Sequence, residues 1–230
     1  MFWQEEDDHV NDTTAAQQVD VAFEIVKGQV LPWDHAYLLS QAIQGHLPWF
    51  ARTAGAALHL IRVAEANGWQ KPTENEGVFY LSRRTRLMLR VPTEHLAAAH
   101  ALTGQRLEIG EYSLSIGQGQ VRPLKPFPVL IAHHVLAPVD QDESDFIAES
   151  VAQLRHLHIH CRKVLCGKQH QWQSPEYPLL TRSLMVADLN REDSLRLQQH
   201  GLGIAQHLGF GVFVPHKDIQ AVSKSNAEEM

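Results

Sequence analysis

The chain has almost no cysteine. Its 230 residues include 2, Cys161 and Cys166, which excludes a disulfide framework as the basis of the fold. Their spacing is not that of a CxxC pair, and both read as ordinary buried thiols. No apolar run approaches the ~18–20 residues that a membrane-spanning helix requires. The opening MFWQEEDDHV lacks the basic start of a secretory signal, so a cytoplasmic protein is expected. An excess of positive charge is missing too. Lys and Arg number 20 against 26 Asp and Glu, a formal net charge of -6. By totals alone this argues mildly against a polyanion partner. Acid is concentrated at the ends, however, in Glu5, Glu6, Asp7 and Asp8 and in Glu228 and Glu229. Local distribution matters more than the sum.

What is present is an ordinary globular composition, 44% hydrophobic and 20% charged. VDVAFEIV (19–26) alternates as a strand. Asp34 is read as the N-cap of a helix through HAYLLSQAIQ. ALHLIRV (57–63) and VFYLSRRTRLMLRV (78–91) read as strands, TEHLAAAHAL (93–102) as a helix, and RLEIGEYSLSI (106–116) as a hairpin turning at Gly110. The second half repeats this order. PVLIAHHVLA (128–137) is a strand and DESDFIAESVAQLRHL (142–157) an acid-started helix. CRKVLCG and LLTRSLMVADL are strands, REDSLRLQQH a helix capped by Asn190, and GVFVP (211–215) the last strand. Each half spells βαββαβ. The fold class expected is α+β, two tandem ferredoxin-like domains, each a four-stranded antiparallel sheet backed by two helices. An acidic tail covers 1–17, the domains 18–119 and 120–219, and a second tail 220–230.

One stretch is rich in arginine. In SRRTRLMLRVP, strand alternation sets Leu87, Leu89 and Val91 on one face. Arg84, Arg86 and Arg90 take the other, about 7 Å apart by strand geometry, while Arg83 lies at the outer end of the leucine face. A solvated face is the plain explanation. Arginines clustered without an acid, in an acidic chain, favour phosphate contacts instead, because the guanidinium fork donates bidentately.

Histidine supplies the candidate chemistry. His35 falls in the first turn of the first helix, where the dipole disfavours an imidazolium and gathers anions. A neutral imidazole beside a phosphate is a general base; the alternative is that it covers the core edge. His46 lies on a similar side but about 16 Å farther along the axis, so the two cannot serve one phosphate. Tyr37 orients a reacting group or packs. HLHIH (156–160) resembles a metal cluster, but it joins a helix end to a strand and lacks a second ligand set. No metal and no cofactor is expected. Near the C-terminus, GLGIAQHLGFGVFVPHK places Gly201, Gly203, Gly209 and Gly211 before a strand. Neither a Walker loop nor a dinucleotide fingerprint fits. Successive backbone N–H groups can form an anion-binding concavity there, with His207 inside it and His216 and Lys217 beyond.

Together, LPWDHAYLL, LSRRTRLMLRVP, VRPLKP, LNREDSLRLQQHGLG and LGFGVFVPHK run in order from Val19 to Ile219. As a set they resemble the CRISPR-associated repeat-processing endoribonucleases of the Cas six family, Myxan-type branch. The resemblance implies metal-free cutting of CRISPR repeat RNA, a stem-loop, into guides. A ribose 2′-hydroxyl attacks the adjacent phosphate, leaving a 2′,3′-cyclic phosphate and a 5′-hydroxyl. Asp34, His35 and Tyr37 match the family's DH-x-Y element, which makes His35 the catalytic histidine, as base or as acid. Other branches place the histidine later in this helix, which keeps His46 as the alternative. Arg83, Arg84, Arg86, Arg90, Arg122, Lys125, the four glycines, His207, His216 and Lys217 are then the RNA contacts. The IAQH segment departs from a loop richer in glycine and lysine, and His207 is a candidate substitute. Other effector-complex subunits are possible partners, and a membrane is not expected.

Two rivals remain. One is a non-catalytic RNA-binding subunit of a ribonucleoprotein. Without an RNP1 match, base stacking on the sheet is disfavoured against basic-groove binding. The other is a metal enzyme built on the histidines.

Overall fold

In the computed structural model, residues 18–62 and 77–216 are described. The expected tails and Lys217 lie outside them. The first half contains β1 (Gln18–Lys27), β2 (Val30–Pro32), α1 (Ala36–His46), β3 (Ala57–His59), β4 (Val78–Tyr80), β5 (Arg86–Pro92), α2 (Leu96–Ala99), β6 (Arg106–Ile109) and β7 (Tyr112–Pro123). The second contains β8 (Leu130–Leu136), α3 (Glu143–His156), β9 (Lys163–Trp172), β10 (Leu179–Ala187), α4 (Arg191–His200) and β11 (Val214–Pro215).

The protein is two tandem ferredoxin-like domains. The second sheet has the order β11-β8-β10-β9, all antiparallel. The first has the order β3-β5-β1-β7-β6, again antiparallel. It is five-stranded, not four-stranded as expected, because β6 continues the hairpin and adds an edge. β4 leaves this sheet and pairs with β2 in a separate ribbon. β7 remains paired with β1 as far as Val19↔Pro123, past the division expected between 119 and 120.

Local chemistry explains most elements. Val21 and Phe23 of β1 and Leu87, Leu89 and Val91 of β5 enter the first core, as alternation predicts. α3 and α4 begin at side-chain caps. Asp142 accepts from the Asp145 amide at 2.8 Å, and Asn190 from the Asp193 amide at 2.8 Å. Such caps stabilise a helix by about 1 kcal/mol. The expected Asp34 cap is not formed. His35 holds the N-cap position of α1 without a side-chain hydrogen bond to the helix. The Asp34 carboxylate instead accepts from the Gln173 amide at 2.6 Å, across to the second domain. α2 is a single turn between 3-10 turns.

Besides one core per domain, a third cluster sits between them. It joins Ala36 of α1 to Trp172, Ala205 and Phe210, with Leu60, Leu136, Leu179 and Leu208 packed against it. Burying a large apolar side chain contributes about 1.5–3 kcal/mol, so this cluster makes the two domains one unit. No helix among the described residues is long and apolar enough to cross a membrane.

Candidate active site at the domain interface

His35 lies in the wall of that third cluster and is 2% exposed. Its Nδ1 faces the carbonyl oxygens of Pro32 (3.2 Å) and Trp33 (3.1 Å). Carbonyls only accept, so Nδ1 carries the proton. Nε2 is therefore a lone pair, and it is buried with no hydrogen-bond partner among the described residues. The rings of Phe79 and Trp172 stand edge-on to it, with centroids 5.4 and 6.1 Å away. Burial pushes its pKa down to about 4. The imidazole is neutral at pH 7.

The second domain faces it with histidines that sequence reasoning missed. Between Ala132 and Val135, β8 carries one residue more than β10, which steps only from Leu184 to Arg182. His133 and His134 together oppose Ser183. Such a bulge re-aims side chains. Ala132 and Val135 both enter the core, leaving both histidines off it. His134 is half-buried. Its Nδ1 accepts from the Trp172 indole N–H at 3.3 Å and lies 3.1 Å from the Thr181 hydroxyl. His170 and Trp172 stack edge-on against it. Burial, reinforced by His170 and the other His and Arg groups nearby, lowers its pKa to about 3. His133 contacts the Arg62 guanidinium. Burial first, then Arg62 and His216, brings it down to about 4. The sequence signal was HH inside the apolar LIAHHVLA, a break in strict alternation.

His46 sits at the opposite end of α1. It is exposed, and its Nε2 lies 3.3 Å from the Arg106 carbonyl. Tyr37 is half-buried. His207 is half-buried, and burial lowers its pKa; its carbonyl accepts from the Ser40 hydroxyl at 2.7 Å. The His216 amide donates to the Val129 carbonyl at 3.0 Å.

The arginines divide. Arg90 is not available to a ligand, which corrects the expected contact. It is 1% exposed. It donates to both Asp20 oxygens, at 2.8 and 3.1 Å, and to the carbonyls of Gln198 (2.6 Å) and Phe213 (3.1 Å). The second domain covers this face of β5, and Arg90 ties the two domains together. Burial raises the Asp20 pKa, but His59 and Arg90 together hold it well below the usual carboxylate range. Arg83 and Arg84 are exposed in the turn before β5, so strand alternation does not apply to them. Arg86 is half-buried and spends one nitrogen on the carbonyls of Arg83 and Thr85, both at 2.9 Å. Arg122 and Lys125 are exposed. Arg122 stands opposite Asp20 and Arg86 opposite Glu24 along β1, a separation of about 13 Å at strand rise.

The glycines are also partly corrected. All four have positive φ. Internal contacts account for three of them. A Cβ on Gly211 would meet the Leu202 carbonyl at 1.7 Å, one on Gly201 the Gly211 carbonyl at 2.4 Å, and one on Gly209 the Leu60 side chain at 2.5 Å. The segment folds on itself and against the first domain. Only Gly203 of the four faces open space, on an exposed arc with Ile204.

The HLHIH histidines lie at a helix end, in the turn after it and in the loop beyond. His156 ends α3, His158 has φ 54, and His160 is exposed. Among the described residues no group of three or more His, Cys, Asp or Glu is arranged to hold a metal ion. Cys161 and Cys166 are free and half-buried, and burial raises both thiols.

A family model described as Cas6 Crispr matches residues 19–218. The chain is 30% identical over 197 residues to the CRISPR-associated endonuclease Cas6 of Myxococcus xanthus strain DK1622, covering 86% of this chain and 81% of that one. Among solved structures, a CRISPR associated protein Cas6 is similar with a TM-score of 0.60 at 13% identity, over 87% of this chain and 99% of that chain. The CRISPR endoribonuclease Cse3 bound to a 19 nt RNA gives 0.51 at 8% identity, over 87% and 100%. The two structural likenesses carry the fold. The family match spans nearly all the described residues, and on that ground the chain belongs to the Cas6 family.

Proposed function

We propose that this protein is a metal-independent endoribonuclease that cuts CRISPR repeat RNA into guide RNAs. The family relative is named an endonuclease, and the more distant Cse3 was solved with RNA. The observation that carries the reading is the His35 Nε2, a buried lone pair without a partner among the described residues. Buried polar atoms in native proteins nearly always find one. An acceptor left unpaired and unprotonated is free to take a proton, as a general base must.

In this reading His35 takes the proton of the ribose 2′-hydroxyl, whose oxygen attacks the adjacent phosphate. The products are a 2′,3′-cyclic phosphate and a 5′-hydroxyl. Arg83, Arg84, Arg86, Arg122 and Lys125 hold flanking phosphates, and the open arc at Gly203 lends backbone N–H groups. Because Phe79 and Trp172 now cover His35, RNA entry displaces at least one of them. Trp172 is the one held by a surface latch, the Asp34–Gln173 hydrogen bond. The protein stays with its guide in an effector complex in the cytoplasm.

A second reading, RNA binding without cutting, is favoured by the same covering of His35. Incubation with repeat RNA in EDTA separates the two. Cutting that disappears in His35→Ala supports the nuclease. Binding without cutting supports the second reading. Products lacking a cyclic phosphate overturn the proposed chemistry.

A further inference from the structure

We propose that Asp34 determines specificity at the cut: its carboxylate accepts N–H donors from the base of the nucleotide whose 2′-hydroxyl His35 activates, and that base is guanine. The proposal rests on the nuclease reading above and names what the site reads.

Two buried acceptors stand one residue apart, and neither has a hydrogen-bond partner among the described residues. One is the His35 Nε2 and the other the Asp34 Oδ1. Both side chains turn toward the same end of β9. The His35 ring meets the Trp172 ring, with centroids 6.1 Å apart, and the Asp34 Oδ2 accepts from the amide of the next residue, Gln173. Buried polar atoms call for partners. A ligand that fits this pair brings two donors, and a phosphate diester brings none. A ribonucleotide has one donor in its 2′-hydroxyl, which the nuclease reading gives to His35. Its base supplies the other.

Charge makes the same choice. None of the ion pairs among the described residues includes Asp34. A carboxylate without a cation beside it repels phosphates and favours a neutral donor edge. Burial raises the Asp34 pKa, and the Gln173 amide opposes that rise. Further N–H donors act in the same sense as Gln173, by favouring the ionised form.

A carboxylate presents two acceptors side by side and no donor. Unstacked RNA bases are read on their Watson–Crick edges, and these edges differ. Guanine sets two donors next to each other, N1–H and the N2 amine. Adenine and cytosine place a ring-nitrogen acceptor beside the amine, which sets acceptor against acceptor. Uracil sets one N–H between two carbonyls. Guanine alone matches both oxygens. Oδ1 has no partner to give up, and Oδ2 is held by Gln173. When RNA displaces Trp172, the adjoining Gln173 amide leaves with it, and both oxygens face the base.

Single-turnover cleavage by the full chain tests this. Wild type first maps its own cut in repeat RNA. RNAs carrying guanosine, inosine, adenosine, cytidine or uridine just 5′ of that cut are then compared. Guanosine should be cut fastest. Inosine keeps N1–H but lacks the N2 amine, and should be cut about ten- to a hundredfold more slowly, the usual effect of one hydrogen bond to a charged group. Adenosine should be slower again. In Asp34→Ala the guanosine and inosine RNAs should be cut at nearly equal rates. Asp34→Asn keeps an acceptor and gains a donor, the complement of an adenine edge, so its preference for guanosine over adenosine should fall on the order of tenfold or more. Each comparison is a ratio within one protein, which a merely structural role of Asp34 would leave unchanged. Should a variant cut too slowly to follow, the same RNAs with a 2′-deoxyribose at that position read the preference as affinity. Wild type that cuts all five RNAs alike, or an inosine penalty that persists in Asp34→Ala, overturns the assignment. No cutting by wild type on any RNA overturns the nuclease reading instead.

Discussion

The interface between the domains and the outer surface of the first domain use the same side chains for opposite ends. At the interface His35 is buried with an idle Nε2, and Arg90 is buried with its guanidinium bonded internally. On the surface His46 rests against a carbonyl, and Arg84 is exposed. One histidine pair shares a helix, and one arginine pair shares a single arginine-rich stretch. Residue type and spacing therefore nominate candidates, and the second domain decides among them. It covers one end of α1 and one end of β5, and leaves the other ends to solvent.

The largest expected effect breaks the histidine pair. His35→Ala should slow single-turnover cleavage by ~10²–10⁴, the usual loss of a general base. RNA affinity should stay within a few fold, because a neutral imidazole adds little to holding a polyanion. His46→Ala should cut nearly normally. If His46→Ala is the inactive variant, the site lies at the exposed end of α1 and the comparison is reversed.

The arginine pair separates stability from binding. Arg90→Ala leaves the buried Asp20 carboxylate with His59 as its remaining side-chain hydrogen-bond partner among the described residues, and removes two bonds to the second domain. Breaking a buried ion pair costs about 3–5 kcal/mol. Urea unfolding of Arg90→Ala should show that loss, whereas Arg84→Ala should stay within about 0.5 kcal/mol of wild type. Equal midpoints for the two variants would mean that Arg90 does not tie the domains.

Acid should weaken the interface before the surface. His35 and His134 hold folded pKa values of about 4 and 3, below the ordinary 6.5. Each binds a proton more readily in the unfolded chain. Their contribution to stability is fully present above pH 6.5 and is lost as pH falls from there through 4 and 3. For His35 alone, the change from pH 7 to pH 5 is on the order of 2 kcal/mol. The midpoint difference between these two pH values should shrink in His35→Ala; an undiminished difference would assign the acid sensitivity to other groups.

What is legible in the sequence is what is decided locally. The Asn190 cap, the Gly110 turn and the alternation of Leu87, Leu89 and Val91 depend on neighbours within a few residues, and each stands where the pattern puts it. The tandem order of elements is legible for the same reason. Alternation turns Arg90 toward a ligand because its true partners, Gln198 and Phe213, come from the other domain. Three of the four glycines suggest a ligand because their close contacts, such as Gly209 against Leu60, are not visible from the loop itself. Asp34 carries a local capping pattern that loses to Gln173. The orientation of His134 depends on a bulge, which strict alternation does not foresee.

The smallest expected effect refines the exposed side of the comparison. Arg84 is exposed with its guanidinium uncommitted among the described residues, while Arg86 spends one nitrogen holding the turn. Each phosphate ion pair that a substitution removes should lower the slope of log affinity against log salt by about 0.7 for a single-stranded site or 0.9 for a duplex one. Arg84→Ala should show close to the full decrement. Arg86→Ala should show less, because part of its fork already serves the Arg83 and Thr85 carbonyls. The double variant should bind RNA more weakly with a far smaller loss of stability than Arg90→Ala, the two Arg86 turn bonds being all that it gives up among the described residues. Titration of repeat RNA at several salt concentrations reads the slopes directly. A slope unchanged in the double variant would show that the turn before β5 faces only solvent, and the phosphates would then belong to Arg122 and Lys125 at the other end of β1.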